Sequence, residues 1–329
     1  MGLTLSKSLK ALFFIAVLGI GPVVYGQASI NDVKASFNQA VQMEKINPEA
    51  AISSYESVIK LADELGGEEA EEIKSQALSR IPKMHYELAK KLAGAKDYEG
   101  SVGMLDASIE GFEKVGDNRS ASRSLSTILS IRNVQGSAAM NEGNYTEALA
   151  FYDDALQRDP TYTKGYLGKL LIYDKMQDLD KMEETANMGL MVCEQETDNR
   201  TAGDIKKVMR TQYFQEAQKE MAEQEYSQAE IHLKNSIDFG NSNVIAYYQL
   251  GLAQKNQEKW NDAVDSFNKA IELETGGAEE KAKIYFGLGE SHQALGQNAQ
   301  ACSAYKNAMY GEFTEAAKYQ VENVLECDK

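Results

Sequence analysis

Proline is scarce in this chain of 329 residues: four are present, against abundant Ala, Glu, Lys, Gln and Leu. Few positions interrupt a helix, so helix is favoured throughout. No segment alternates apolar and polar residues as a half-buried strand requires, which argues against a sheet. Histidine is rarer still, and His85, His232 and His292 include no pair at a metal-ligand spacing. Packing or partial exposure accounts for them. Catalytic signatures are missing as well. There is no HExxH helix, no GxSxG elbow, no Gly-rich phosphate loop closing on Gly-Lys-Ser/Thr, and no GxGxxG opening a helix. Asp174, Asp178 and Asp180 lack the spacing, central glycine and closing glutamate of a calcium loop. Neither a cofactor nor a metal is expected.

Only three cysteines occur, Cys193, Cys302 and Cys327, without the paired spacing of a zinc site or a CxxC redox motif. Positive charge is also in short supply, with 34 Lys and Arg against 50 Asp and Glu and a net charge of −16. Such a surface repels phosphate backbones and anionic lipid heads, which disfavours nucleic acid and peripheral membrane binding. Its plain reading is solubility, and a basic partner is compatible with it. The first 26 residues carry no acid at all. There Lys7 and Lys10 precede an apolar run from Ala11 to Tyr25, and Val24-Tyr25-Gly26 offers a signal-peptidase site before Gln27. The run is about 15 residues, short of the roughly 20 that span a bilayer. An exported protein is expected, with an uncleaved membrane anchor as the rival. No cysteine near the cleavage region is available for a lipoprotein anchor. In an exported chain Cys302 and Cys327 are positioned to bridge the last repeat to the tail, the alternative being inert thiols.

What the chain does have is repetition. Tyr247 to Ala270 reads YYQLGLAQKNQEKWNDAVDSFNKA, followed by YFGLGESHQALGQNAQACSAYKNA from Tyr285 to Ala308. A third version, EGNYTEALAFYDDALQRDP, runs from Glu142 to Pro160. Recurring blocks of this size indicate stacked supersecondary units in place of one globular core. The wording resembles the tetratricopeptide repeat, through Tyr247, Leu250, Gly251, Trp260, Ala263, Phe267 and Ala270, and again through Tyr285, Leu288, Gly289, Ala301, Tyr305 and Ala308. Gly136, Tyr145, Ala148, Tyr152, Ala155 and Pro160 make the third copy, with Arg132 where the first aromatic belongs. Weaker copies bring the count to seven. Ala229 to Ala263 is 34 residues, the standard period, while the longer steps imply extended first helices at Glu68 to Lys91, Arg119 to Asn141 and Asp198 to Ala222. Pro82 lies inside the first of these and is expected to kink or divide it.

The resemblance implies an all-α, right-handed superhelical solenoid of about seven helix-turn-helix units. Residues 27–67 form a degenerate first repeat and 68–312 the array, strongest at 129–162, 244–277 and 282–312. Residues 313–329 hold a capping helix and tail, with Ala316, Tyr319, Val321 and Val324 on its apolar side. In proteins of this family the first helices line a concave groove. Carried over, one row is Tyr86, Asn133, Leu167, Phe214, Tyr248 and Phe286, and a second, one turn later, is Lys90, Ser137, Leu171, Gln218, Leu252 and Glu290. Aromatic and aliphatic residues in a row suit an extended peptide or a helix laid along the groove. The alternative is that several of them pack between helices. A chaperone-tail carboxylate clamp is disfavoured, because only Lys83 and Lys90 are basic there and no neighbouring unit supplies the matching Asn and Arg. The expectation is a non-enzymatic scaffold binding a protein or peptide, placed in the periplasm of a Gram-negative bacterium, or else membrane-anchored or secreted. The rival readings are an accessory subunit of an envelope machine docking by its outer surface, and a carboxylate-based hydrolase.

Overall fold

The structure is a computed structural model that describes residues 29–327; the expected leader at 1–26 lies outside them. Among the described residues there are fifteen α-helices and no strand. They form hairpins in chain order: α1 (Ile30–Met43) with α2 (Pro48–Leu65), α3 (Glu68–Gly94) with α4 (Tyr98–Lys114), and α5 (Asn118–Asn141) with α6 (Tyr145–Arg158). Next come α7 (Thr163–Met176) with α8 (Leu179–Gln195), and α9 (Asn199–Glu223) with α10 (Tyr226–Asp238). The last two are α11 (Val244–Asn256) with α12 (Trp260–Leu273), and α13 (Ala278–Ala294) with α14 (Asn298–Asn307), followed by the short α15 (Thr314–Tyr319). The chain is an all-α helical repeat array. It divides into two compact units, one ending at Ser126 and the other beginning at Thr127, within α5.

Local chemistry sets the helix starts. Ser29 and Asp32 form a reciprocal capping box at α1, and Asn47 caps α2 with Pro48 at its first position. Asp97, Asp178, Asp198 and Asn243 accept backbone N–H groups at the starts of α4, α8, α9 and α11. Each satisfies a donor that the helix leaves unpaired. The three long first helices, α3, α5 and α9, run within a few residues of the extents expected from the long repeat steps.

Pro82 does not divide α3, which continues through it to Gly94. The neighbouring helix accommodates the ring: a Cβ at Gly111 of α4 would stand 2.9 Å from Pro82 Cβ, so glycine leaves the room. Ser108 Oγ of α4 donates to the Pro82 carbonyl at 2.9 Å in a buried contact. Tertiary packing thus overrides the local breaker.

In the first unit the core runs from Val33 and Ala40 through Ala51, Tyr55, Val58 and Ala62 to Ala77 and Met84. Glu44, at the end of α1, ties it together. It accepts from Tyr55 Oη at 2.6 Å and from Arg80 Nη1 at 2.7 Å, linking the end of α1 to α2 and α3. Burial pushes the Glu44 carboxyl up, but these two hydrogen bonds together with the charges of Arg80 and Lys83 outweigh it and hold the group below its ordinary value.

The second unit repeats one packing device. An aromatic ring from a second helix is fully buried between glycines of two successive first helices. Phe267 of α12 is 0% exposed, and a Cβ at either Gly251 of α11 or Gly287 of α13 would meet its ring at 2.7 Å. Tyr152 of α6 lies likewise between Gly136 of α5 and Gly168 of α7, with its hydroxyl against Ser137 Oγ at 3.0 Å. Tyr305 of α14 faces Gly289 in the same way. The sequence signature is therefore a steric pattern: small residues on first helices make slots, and rings on second helices fill them.

The tail differs in register from the expectation. A 3₁₀ turn at Gly311–Phe313 leads into α15, and Gln320–Val324 form a π-turn. Ala317 and Val321 are the buried residues, with Leu325 and Cys327 packed against them. Ala316, Tyr319 and Val324 are exposed instead, because Ala317, Val321 and Leu325, at four-residue steps, take the inner face. Cys302 of α14 and Cys327 are joined by a disulfide, with their Cα atoms 5.7 Å apart. Cys193 is buried and unbonded, and burial pushes its thiol up.

Candidate functional site

Within the second unit the first helices form one layer and the second helices another. α7 packs directly against α9, and α11 against α13, whereas among the described residues no two second helices come as close. The first-helix layer is the tighter side, and its exposed edge is the surface on which successive helices can act together.

A cleft of about 350 Å³ opens on that layer between α5, α7 and α9. Asn133, Ser137 and Met140 line it from α5, and Lys164, Leu167, Gly168 and Leu171 from α7. Asp198, Arg200, Thr201 and Asp204 close it from the start of α9, and Tyr152 forms its floor. Four groove residues expected from the sequence therefore converge here: Asn133, Ser137, Leu167 and Leu171. Leu167 is half-buried against the cluster of Leu170, Met182 and Ile205, so one side is spent on packing while the other lines the cleft.

The charges of this cleft divide into two kinds. Asp198 is structural. Hydrogen bonds from Thr201 and from Thr163 Oγ1, the latter at 2.7 Å, hold its carboxyl down at about 2. Lys164, Arg200 and Asp204 have no ion-pair partner among the described residues. The outer side offers a contrast. A cleft of about 410 Å³ between α6, α7 and α8 holds Lys169 paired to Asp153 at 2.7 Å, and Lys181, which pairs with Asp178 at 3.0 Å. Its cations are already answered, and those of the first-helix cleft are not.

The remaining groove residues are distributed differently. Phe214 of α9 lines a separate cleft with Arg210, Thr211 and Gly240–Asn243. Tyr248 and Leu252 of α11 are half-buried on the cluster around Phe267, and the Lys283 ammonium lies 5.2 Å over the Tyr248 ring. Phe286 of α13 packs on Tyr305 and on Phe313, each at 5.4 Å between ring centroids. Glu290 is paired with Lys255 at 2.6 Å, and Gln218 is exposed. Tyr86 and Lys90 belong to α3 of the first unit, where Lys90 reaches over the Tyr86 ring at 5.8 Å and pairs with Glu87 at 2.9 Å. Tyr86, Tyr248 and Phe286 are thus each covered by a neighbouring cation or ring, whereas Phe214 borders a cleft. Sequence reading missed Lys164, Arg200, Asp204 and Arg210. Lys164 was within reach, since it precedes Leu167 by three residues and Leu171 by seven on one helical face.

Among the described residues no group of three or more His, Cys, Asp or Glu side chains could hold a metal ion. Among the described residues the carboxyls of Asp32, Glu44, Glu110, Asp117, Asp154, Asp178, Asp198 and Glu230 are all held below their ordinary range, the strongest cases being Asp198 and Glu230, both tied to structural partners. A general acid requires the opposite shift.

Residues 129–162 and residues 245–274 each match a family model described as the tetratricopeptide repeat. No curated protein matches the sequence. Among solved structures, a tetratricopeptide repeat protein from Parabacteroides merdae ATCC 43184 is similar over 88% of this chain and 97% of its own, at 15% identity and a TM-score of 0.28. MamA is similar over 60% of this chain and 96% of its own, at 17% identity and a TM-score of 0.34. YrrB, described as a TPR protein with an unusual peptide-binding site, is similar over 58% and 90%, at 17% identity and a TM-score of 0.33.

Proposed function

We propose that this chain, a member of the tetratricopeptide-repeat family, is a non-catalytic scaffold holding an extended segment of a protein partner on the first-helix layer of residues 127–329. Repeats of this kind serve protein–protein interaction, and stacked first helices present an extended binding surface. One observation carries the choice of face. The cleft between α5, α7 and α9 combines apolar Leu167 and Leu171 with Lys164, Arg200 and Asp204, none of which is paired within the described residues. A partner segment lying there buries aliphatic surface and answers charges that the protein leaves unanswered.

The same reading places the protein outside the cytoplasm, in the periplasm of a Gram-negative bacterium. Lys7, Lys10 and the apolar run Ala11–Tyr25 support export, and so does the Cys302–Cys327 bond, since disulfides persist in oxidising compartments. Sequencing the mature N-terminus tests this: a start at Gln27 is expected, and an intact Met1 would replace export with a membrane-anchored form.

The binding face is tested by photo-cross-linking in the native host. A photoreactive residue at Asn133, Lys164 or Leu171 is expected to give cross-linked partner. One at Met191 or Ile231, exposed on the second helices α8 and α10, is expected to give none. Cross-links confined to the second helices would support docking by the outer surface.

A further inference from the structure

The last three repeats place an aromatic residue at the same register position of their first helices: Phe214 in α9, Tyr248 in α11 and Phe286 in α13, each following Tyr213, Tyr247 or Tyr285. In two of them, the next element of the stack covers the ring. Lys283, at the start of α13, sits 5.2 Å over Tyr248, and Phe313, from the turn before α15, stacks on Phe286 at 5.4 Å. Phe214 is different. Among the described residues neither a ring nor a cation covers it.

The reason lies in the loop between α10 and α11, which reads Gly240-Asn241-Ser242-Asn243. Its side chains are short and already engaged. Asn241 donates to Ser236 Oγ at 2.9 Å, and Asn243 donates to Asn241 at 2.7 Å while capping α11 through Ala246 N at 2.8 Å. At the register position of Lys283 stands Ile245, which is 53% exposed. A cleft of about 390 Å³ results, lined by Phe214, Arg210, Thr211 and this loop. Arg210 lies one helical turn before Phe214, and its guanidinium has no carboxylate partner among the described residues.

Two requirements define what enters. The group must cover an apolar ring, and it must satisfy a free guanidinium. A cation, the solution used at Tyr248, is refused by Arg210 through like-charge repulsion. A ring, the solution used at Phe286, is accepted, and a carboxylate beside it pairs with Arg210. The tail shows the two kinds of side chain standing together, since Glu312 directly precedes Phe313. We infer that the Phe214–Arg210 cleft is an anchoring subsite for a partner segment in which Asp or Glu stands next to an aromatic residue. This inference rests on the reading of the first-helix layer as the binding face, and it names the chemistry that the face selects.

The test is selection of a displayed random dodecapeptide library on the purified mature chain, followed by binding measurements with the enriched peptides. Enrichment of an acidic residue adjacent to Phe, Tyr or Trp is expected. Phe214→Ala should weaken those peptides about tenfold, and replacing their acid by Lys should do the same. Phe214 also packs against Ala217, Leu233 and Leu250, so a second variant keeps that packing intact. Arg210→Glu should reverse the preference, favouring Lys beside the aromatic. Enriched peptides that depend on Leu167 and Leu171 but ignore both variants would overturn this subsite and leave the binding face standing. No enrichment of any peptide would overturn both.

Discussion

Phe267→Ala should cost about 3–5 kcal/mol, the range for removing a large ring from a packed core. The ring is fully buried, and its position is fixed from both sides by Gly251 and Gly287. Neither glycine carries a side chain that could move into the space. The loss falls within the hairpin α11–α12, at Gly251, and also on its contact with the next hairpin, α13–α14, at Gly287. In a repeat array stability is approximately a sum of repeat terms and nearest-neighbour terms, so damage at one junction uncouples what lies beyond it. Hydrogen exchange of α13 and α14 should therefore accelerate by about two to three powers of ten, while α5 to α8 change little. A cost below about 1 kcal/mol, or equal acceleration throughout the second unit, would show that the ring does not couple the hairpins.

The second large effect belongs to Glu230. Its side chain in α10 is 5% exposed and binds four partners: Lys234 Nζ at 2.7 Å, Lys259 Nζ at 2.6 Å, Gln257 Nε2 at 3.0 Å and Gln254 Nε2 at 3.4 Å. One carboxylate thus joins α10 to α11 and to the start of α12. Burial alone would push the carboxyl up; the lysines and the Gln254 amide overcome this and bring it to about 2. The folded value lies below the unfolded one near 4.5. The stabilisation is therefore complete above that unfolded value and is lost as pH falls from about 4.5 towards 2. Its size is about 3 kcal/mol, from the shift of about two and a half pH units. Both lysines are half-exposed and return to water when the carboxylate is removed, which keeps the cost near this figure. Urea denaturation of the wild type and Glu230→Gln at pH 6 and at pH 2.5 measures it. The two should differ by about 3 kcal/mol at the higher pH and by no more than about 1 kcal/mol at the lower. Parallel stability curves across that interval would refute the assignment.

The fold was largely legible because the repeat signature is itself a packing rule. Glycines at 136, 251 and 289 and rings at 152, 267 and 305 recur at fixed separations, and the structure inserts each ring beside its glycine. Long spacings between repeats translated into the long helices α3, α5 and α9 for a similar reason, since no breaker other than Pro82 lay in the extra residues. Pro82 itself showed where local rules end. Whether a proline divides a helix depends on what packs against it, and Gly111 and Ser108 stand 26 and more residues away. In the tail Val321 is buried as expected but Ala317 takes the place expected of Ala316, since two adjacent alanines are alike in sequence and only packing against α14 tells them apart.

The binding face was legible only in part. The family resemblance placed Asn133, Leu167 and Leu171 on the groove side of their helices, and they do meet in one cleft. It did not reveal how rings at one register position differ, with Tyr248 under Lys283, Phe286 under Phe313 and Phe214 beside an open cleft. Those differences come from the element that follows each ring in the stack. The charged residues were missed for a related reason. Lys164 and Arg200 become notable only once no carboxylate is found within ion-pair distance of them, which is a three-dimensional fact.

The central claim, that a partner segment lies on the first-helix layer of the second unit, is met most directly by the cross-linking comparison between its two sides. Efficient transfer from Asn133, Lys164 and Leu171 to one partner, competed by a peptide from that partner and absent from Met191 and Ile231, is the predicted result. Equal labelling from both sides, or labelling from Met191 and Ile231 alone, would contradict it.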